Sequence, residues 1–136
     1  MAKMVLLAAF ASLNGTDLSG YTRKAELTVE VEDKDVTTYA SLGWKEVIGG
    51  LKSGELGLEF LQDVAASEID SIMWPLLGTV VPFVVRLDES AKSASNPEWT
   101  GSVLIKAWNP IEGGVGDEAS VSVSYPTSGA VVRAVA

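Results

Sequence analysis

Two glutamates, Glu30 and Glu32, come closest in type and spacing to a catalytic pair. Two positions apart on a β-strand, their Cα atoms would lie roughly 7 Å from each other, a separation within reach of the paired carboxylates of glycosidases. A general acid of this kind needs a pocket that raises its pKa, and the neighbouring residues predict none. Adjacent carboxylates on an open face repel each other and stay ionised. The pattern therefore favours a solvated strand face.

The side chains that most often act as bases, nucleophiles or metal ligands near neutral pH are missing. The chain has no histidine and no cysteine, so any catalysis would rest on carboxylates, lysine or hydroxyl groups. No serine stands in a nucleophile motif, and the glycine-rich segment 113–116 lacks the Lys-Ser/Thr and following helix of a phosphate-binding loop. We therefore expect a protein that is not an enzyme and that has no metal ion or cofactor.

The charge and the hydrophobic content exclude two classes of partner. The net charge of −8 argues against a surface that grips nucleic acid by neutralising its phosphates, although nucleic acid can slide past such a surface. No run approaches the roughly 20 apolar residues of a membrane helix, so no membrane partner is expected. Residues 1–11 resemble a weak signal peptide, but a strand or arm explains them better because the charged region before the apolar run is a single lysine.

Most of the chain has the two-residue period of β-strands. In 25–32, Leu27, Val29 and Val31 are expected to face the core while the glutamates between them face water. The segments 54–61 and 119–125 alternate in the same way. The segment 79–88 is apolar on both sides, which predicts a strand covered on both faces, with Pro82 at an edge or bulge. Two further strands are predicted over 99–108 and 130–136.

One segment, 67–78, has a helical period. Its apolar stripe is predicted to pack on the core and consists of Ile69, Ile72, Met73, Leu76 and Leu77. Ser67 is expected to cap the first turn, with Asp70 at the return position of a capping box, and Gly78 to end the helix in a left-handed conformation. Pro75 removes a backbone hydrogen bond, so the helix should kink or stop near Met73.

Together these elements predict a mainly β chain. About seven strands and one flanking helix, with no linker, indicate a single domain over 1–136 with the architecture of a β-sandwich or a partly closed barrel. Segment 33–53 is predicted to be a long loop between strands, and its Tyr39 and Trp44 favour a contact surface. The four tryptophans suit core or interface anchoring better than a platform for stacking sugars.

The order of turns and strand starts resembles that of tail tube (major tail) proteins of long-tailed, non-contractile bacteriophages. The resemblance begins with Thr38-Tyr39, Gly43-Trp44-Lys45-Glu46 and Gly50-Leu51-Lys52-Ser53-Gly54 before an alternating strand. It continues with 93–101 before a long strand, then 113–117, and Ser128-Gly129 before the terminal strand. The similarity extends over almost the whole chain. Its motifs are turns and strand starts, and their shared order carries the resemblance.

The resemblance implies a structural virion protein with no catalytic residues. The family forms rings of six copies that stack into a tube conducting the genome, so the implied partners are further copies of this chain and passing double-stranded DNA. Tape-measure, terminator and distal tail proteins are the other implied partners. The implied location is the virion tail, assembled in the cytoplasm of the host bacterium. A monomeric β-sandwich module that binds carbohydrate or another small ligand is the alternative.

Two sets of residues are assigned roles under this hypothesis. The residues expected to face the tube lumen are the acidic ones on the wet strand faces: Glu26, Glu30, Glu32, Glu55 and Glu59. The long loop 33–53 and the chain ends 1–10 and 129–136 are expected to make contacts between rings or subunits, through Tyr39, Trp44, Lys45, Lys52 and Arg133. The alternative for the acidic row is an outer surface that keeps the protein soluble.

Overall fold

The computed structural model describes residues 3–136 as two antiparallel sheets with one short α-helix. The predicted mainly β sandwich is confirmed, and the sheets do not close into a barrel. This part of the chain holds eight strands, one more than expected, because a two-residue strand follows the first turn. The strands are β1 (Phe10–Leu13), β2 (Thr16–Asp17), β3 (Thr22–Asp35), β4 (Val47–Leu61), β5 (Val80–Arg86), β6 (Glu98–Leu104), β7 (Ser120–Pro126) and β8 (Val132–Ala134).

The larger sheet has five strands in the order β2-β1-β5-β6-β8. Strands β1 and β2 are joined by a two-residue turn in which Asn14 and Gly15 both have positive φ angles, as the tightest hairpin turns require. Strand β1 pairs with β5, which is distant from it in the sequence, and Leu13 lies opposite Phe83. The predicted strand 99–108 ends early, at Leu104, although Trp108 further along is still buried.

The smaller sheet has three strands in the order β3-β4-β7. Strands β3 and β4 form a long hairpin that pairs Thr22 with Phe60 at one end and Asp35 with Val47 at the other. The predicted limits of the loop, 33–53, are therefore wrong. Residues 33–35 belong to β3 and 47–53 to β4, so only 36–46 connects the two strands. Glycine pairs usually interrupt strands, but Gly49 and Gly50 lie within this ladder, at a bulge.

The core lies between the two sheets. The predicted alternation is confirmed in β4 and β7, whose inward residues Leu56, Leu58, Phe60, Val121 and Val123 are buried. In β3 the alternation is correct, but nothing in residues 3–136 covers its distal part, so Val29 and Val31 are about half exposed. Strand β5 is covered on one face only: Val81, Phe83 and Val85 are buried and Val80 is exposed, which corrects the prediction of two buried faces.

The interior position of Pro82 corrects another expectation. Strand β5 lies in the middle of its sheet, where a proline normally removes a ladder hydrogen bond. Here the carbonyl of Pro82 accepts a hydrogen bond of 2.8 Å from the N–H of Asn14. In an extended strand the N–H and C=O of one residue point to the same side. The nitrogen of Pro82, which has no hydrogen to donate, therefore faces the turn after β1, and no hydrogen bond of the ladder between β1 and β5 is lost.

The α-helix, α1, covers only Ile69–Met73, and a 3₁₀ turn follows at Trp74–Leu76. The helix stops at the position predicted from Pro75, but 67–78 was too long. Ile69 and Met73 are buried, Ile72 and Leu76 are partly buried against the core, and Leu77 is 41% exposed, which corrects its assignment to the core face. None of the helices in the described part of the chain is long and apolar enough to cross a membrane.

The ends of the helical segment also differ from the prediction. Ser67 does not cap the helix, since the cap position is Glu68 and Ser67 itself has a φ of +66°. Asp70 does not return to the cap; its carboxylate accepts a hydrogen bond from the indole of Trp108 instead. Gly78 has the expected left-handed conformation.

The hydroxyl of Tyr21 donates a hydrogen bond to the carboxylate of Glu68 at the start of the helix, and this hydrogen bond raises the pKa of Tyr21 to about 12.

Candidate functional site

The outer end of the β3–β4 hairpin extends beyond the core and exposes apolar side chains. We call residues 36–46 the hairpin tip. Tyr39 and Trp44 in the tip are 102% and 79% exposed. We call 29–51 the outer hairpin; seven further apolar residues in it are exposed as well: Val29, Val31, Val36, Leu42, Val47, Ile48 and Leu51. Exposed apolar side chains at this density favour a segment that meets a partner.

Local hydrogen bonds give the tip a defined shape. Ser41 is buried at the base of a 3₁₀ turn, Tyr39–Ser41, and its hydroxyl accepts a hydrogen bond of 3.2 Å from the N–H of Thr38. Leu42 and Gly43 then reverse the chain with positive φ angles. The side chain of Thr37 accepts the N–H of Glu46 at 2.8 Å, which closes the loop. The tip is thus an ordered structure that holds its aromatic side chains outward.

Asp35 stabilises the start of the tip. Its carboxylate accepts the N–H of Thr37 at 2.9 Å. Hydrogen bonds from the Thr37 side chain and backbone lower the pKa of Asp35, because they favour the ionised carboxylate. The ionised form of Asp35 is therefore the form that orders this loop.

The two glycines of β4 allow the hairpin strands to approach closely at the bulge. A Cβ at Gly49 would lie 3.0 Å from Val31 Cγ1, and one at Gly50 would lie 3.2 Å from Lys34 Cε. The register of β3 against β4 shifts between Val31 and Asp33 at the same place. A Cβ at either position would crowd its neighbour by a few tenths of an ångström, so the two glycines suit the close approach of the strands at the bulge.

The predicted contact residues are only partly brought together. Tyr39, Trp44 and Lys45 share the hairpin tip, whereas Lys52 lies down the hairpin on β4, opposite Val31. Arg133 is far from this group in the fold, on β8 at the edge of the other sheet, opposite Trp99. Of the predicted terminal segments, residues 1 and 2 lie outside the described part of the chain.

The predicted acidic residues do share one surface. In the pairing of β3 with β4, Glu26 lies opposite Gly57 and Glu30 opposite Ser53, while Leu27 lies opposite buried Leu56 on the other side. The residues that face away from the core are therefore the even-numbered ones of β3 and the odd-numbered ones of β4 up to the bulge. We call this surface the acidic face; it carries Glu26, Glu30, Glu32, Glu55 and Glu59.

Hydroxyl groups and a few cations share the acidic face. From β7, Ser122 donates to Glu59 at 3.3 Å, and Ser124 donates to Glu55. Arg23 contacts Glu59 at 3.3 Å and Glu118 at 2.6 Å, and its hydrogen bond and charge lower the pKa of Glu118. Within residues 3–136, no three acidic side chains are grouped so as to hold a metal ion. The face is a polar wall with excess negative charge.

A groove of about 700 Å³ opens between the sheets at the end of β3 opposite the tip. One wall is the chain segment 6–11 that leads into β1, and the other is the inner side of β3, from Ala25 to Val29. Val85, Leu87 and Trp99 also line it. We call this cavity the arm groove. Its lining mixes apolar and charged side chains, and Leu6 and Leu7 at its rim are exposed.

Three basic residues also line the arm groove: Arg23, Lys24 and Arg86. The guanidinium of Arg86 lies 3.9 Å above the ring of Phe10 and contacts Glu98 at 3.3 Å. Its Nε is buried and has no hydrogen-bond partner among residues 3–136. Buried donors are usually paired, so this side chain has unused hydrogen-bonding capacity beside the groove.

Sequence reasoning missed the arm groove and the outer strands of the hairpin. The groove joins residues 6–29 to 85–99, which pattern analysis of single segments cannot connect. The hairpin had a usable signal, because Val47 to Leu51 can continue β4 once the glycines are accepted within a strand. That signal was outweighed by the usual association of paired glycines with loops.

Comparisons with known proteins show the fold. A scan against protein-family models and a search of curated proteins found no match. Among solved structures, the chain is similar to one in the tail of an empty gene transfer agent particle determined with C6 symmetry. The TM-score is 0.67 at 20% sequence identity, and the match covers 94% of this chain and 95% of that one. It is also similar to a chain in the virion of a native gene transfer agent particle, with a TM-score of 0.66, 21% identity, and coverage of 84% and 85%.

Proposed function

We propose that this chain is a structural subunit of a virion tail, and that it assembles into rings of six that stack into a tube. The observation that carries this proposal is the fold, shared over 94% of the chain with a component of a C6-symmetric particle tail. The exposed hairpin supports it, because its apolar side chains have no partner within residues 3–136. A repeating assembly of identical copies would cover them.

Rings would form by joining sheets from neighbouring copies. Strand β3 spans 14 residues and pairs with β4 on one side only, so its other edge is free in the described chain. An unpaired edge of this length readily pairs with another strand unless it is blocked. The other edges are shorter: β7 in the same sheet has 7 residues, and β2 and β8 in the other sheet have 2 and 3 residues. We therefore assign the ring contact to β3.

The acidic face would line the lumen of the ring. If β3 pairs with the β7 edge of a neighbour, the three-stranded sheets become one continuous wall whose core sides face the subunit interiors. The glutamates would then point into the channel, in six copies. Double-stranded DNA would meet repulsion and no phosphate-binding site, which suits passage without adhesion.

Contacts between rings would come from the outer hairpin and the chain ends. The hairpin tip is the largest exposed apolar projection described above, and buried aromatic residues commonly dominate interface energies. Residues 3–9 precede the first strand, and 129–136 contain the edge strand β8, so we assign both segments to the same role. Further tail proteins would bind the two ends of the tube, after assembly in the cytoplasm of the host bacterium.

Size-exclusion chromatography with light scattering and negative-stain microscopy test the proposal directly. The expected result is rings with sixfold symmetry, which grow into tubes as the protein concentration rises. A chain that stays monomeric at all concentrations and salt conditions, and that forms no rings on microscope grids, would contradict it. A monomer that instead binds carbohydrate or another small ligand would support the binding-module alternative.

A further inference from the structure

We propose that the contact between neighbouring copies in the ring is a parallel seam, in which the free edge of β3 in one copy pairs with the free edge of β7 in the next. This inference rests on the proposed ring and adds the direction of the strands to it. Within residues 3–136, β3 and β7 are the two edges of the three-stranded sheet, and neither pairs with another strand on its outer side. One copy therefore offers both edges that a repeating contact between identical copies needs.

The number of strands in the sheet fixes the direction of the seam. Strand β4 is antiparallel to β3 and to β7, so β3 and β7 run in the same direction. Rotation about the axis of a ring leaves the direction of a strand along that axis unchanged. A sheet that continues around the ring therefore brings β7 of one copy beside a β3 that runs the same way. The strand pairs within residues 3–136 are all antiparallel, so the seam would differ from each of them.

The backbone of β7 has groups directed to its free edge at alternate residues. Just beyond the strand, the N–H of Thr127 donates to the carbonyl of Gly54 on β4 at 2.9 Å, so the odd-numbered residues turn towards β4. The N–H of Ser122 points the other way and donates at 2.9 Å to the carboxylate of Glu112. Glu112 is an exposed residue of the segment before β7. In the seam, a carbonyl of β3 would replace this carboxylate as the acceptor.

The same alternation gives the free-edge positions of β3. Leu58 of β4 lies opposite an odd-numbered residue of β7 and turns to β7, so its neighbour Gly57 turns to β3. Gly57 lies opposite Glu26, and Glu26 therefore turns to β4. The residues on either side of it, Ala25 and Leu27, present their N–H and C=O groups at the free edge. Such an edge is a template for another strand.

The side chains on the acidic face favour β7 over a second β3 as the partner. This face carries Glu26 and Glu30 on β3, whereas on β7 it carries serines, among them Ser122 and Ser124. Pairing of two β3 edges would bring rows of glutamates together, and like charges on neighbouring strands destabilise a sheet. Pairing with β7 places hydroxyl donors beside the carboxylates. The subunit already contains such a contact, since Ser122 donates to Glu59 at 3.3 Å.

Disulfide formation between single cysteine variants tests the direction of the seam, because the chain has no cysteine of its own. Variants of β3 and of β7 are mixed in pairs under assembly conditions and oxidised, and circular dichroism checks that each variant is folded. The β3 variants are Lys24→Cys, Glu26→Cys, Thr28→Cys and Glu30→Cys, and the β7 variants are Ser120→Cys, Ser122→Cys and Ser124→Cys. In the matched control, Ser95→Cys in the exposed loop between β5 and β6 replaces the β7 variant. The best pairs should form about tenfold more disulfide dimer than the control, because the seam holds their thiols together.

The pattern of linked pairs gives the direction. In a parallel seam, the β7 partner moves to a higher residue number as the β3 position does. In an antiparallel contact, the partner moves to a lower number, and this pattern would overturn the inference. Disulfide dimers of Glu26→Cys or Glu30→Cys with themselves would also overturn it, because they show two β3 edges in contact.

Microscopy of the same samples separates this inference from the proposed function. Sixfold rings with no more disulfide than the control would overturn the seam and leave the ring proposal standing. The parallel pattern in open filaments, without rings, would support the seam and overturn the rings. Absence of rings from the parent chain, together with disulfide at the level of the control, would overturn both.

Discussion

The indole Nε1 of Trp108 donates a hydrogen bond of 2.9 Å to Oδ1 of Asp70. This bond ties the segment that follows β6 to the short helix α1, and it leaves the buried ring of Trp108 with its only polar atom satisfied. The ring also lies 6.1 Å from that of Phe60 in the core. The helix is too short to be stable alone, so this bond and the burial of Ile69 and Met73 fix its position.

Asp70→Ala should therefore destabilise the subunit. It leaves a buried N–H without an acceptor, which costs about 1–3 kcal/mol of unfolding free energy. Asp33→Ala is the matched control, on the exposed outer hairpin, and should change the unfolding free energy by less than about 0.5 kcal/mol. Urea unfolding followed by tryptophan fluorescence measures both. Equal stabilities of the two variants would show that the Trp108 bond contributes nothing.

Gly101→Ala should also weaken the fold, through overpacking. A Cβ at Gly101 would lie 3.2 Å from the carbonyl of Ala130 and 2.9 Å from Cε1 of Phe83, a buried ring with little room to move. The expected cost is about 1–3 kcal/mol. At Gly57 the nearest atom would lie 3.8 Å away, so Gly57→Ala should be neutral or slightly stabilising. Thermal unfolding of both variants makes the comparison, and a stable Gly101→Ala chain would contradict it.

The order of the hairpin tip should depend on pH through Asp35. Hydrogen bonds from Thr37 lower the pKa of this carboxyl below its ordinary value of 3.8. Because the pKa of Asp35 is lower in the folded chain than in the unfolded one, the ionised carboxylate stabilises the folded tip above about pH 4. This stabilisation is lost as the pH falls through the pKa of the folded state. Thr37→Val should raise the pKa of Asp35 toward the ordinary value, while Thr28→Val should not. Carbon-detected NMR titration measures the shift, and identical titrations in the two variants would refute the role of Thr37.

Trp44→Ala should leave the subunit folded and slow tube growth strongly. Trp44 is 79% exposed and contributes little to the core, but truncation of an interface tryptophan commonly costs about 2 kcal/mol or more, near a 30-fold loss of affinity. Trp74→Ala, at another exposed tryptophan on the 3₁₀ turn after α1, is the control. Light scattering follows growth and circular dichroism follows folding. If tubes of the Trp44 variant grow as fast as those of the parent, the hairpin tip is not part of the assembly contact.

Charge reversal on the acidic face should impair passage of DNA rather than assembly. Glu26→Lys with Glu30→Lys would place positive charges beside the phosphates, and within a screening length of roughly 8 Å these would hold the DNA. The matched pair Glu26→Gln with Glu30→Gln removes charge without reversing it, so it should have a smaller effect. The rate of DNA ejection from assembled tails should be highest for the parent, lower for the glutamine variant and lowest for the lysine variant. Equal ejection from well-formed tails would place this face outside the lumen.

Sequence periodicity predicted the strand faces well because alternation is a local property. It identified the shared faces of β4 and β7 and the side of β3 that carries Glu26 and Glu30. It could not tell that the apolar side of β3 at Val29 is open, because that depends on how far the opposite sheet extends. Pro82 was misplaced for a similar reason: its tolerance depends on where β1 ends.

The candidate surfaces were predicted less completely than the fold. Tyr39 and Trp44 are predicted from sequence as contact residues because they are aromatic residues in a long segment between strands, and both lie exposed in the tip. The arm groove depends on contacts between residues as distant as Leu6 and Trp99. Such contacts leave no periodic signal in a single sequence, so the groove was visible only in three dimensions.

The separation of the hairpin from the arm groove along the chain has a consequence for synthesis. The hairpin closes within residues 22–61, through contacts between neighbouring segments, which form fastest during folding. The groove needs Val85, Leu87 and Trp99, which leave the ribosome later. A nascent chain therefore displays its tip before it has a groove. The exposed apolar side chains of the tip are therefore present on the nascent chain before the opposite end of the sandwich is complete.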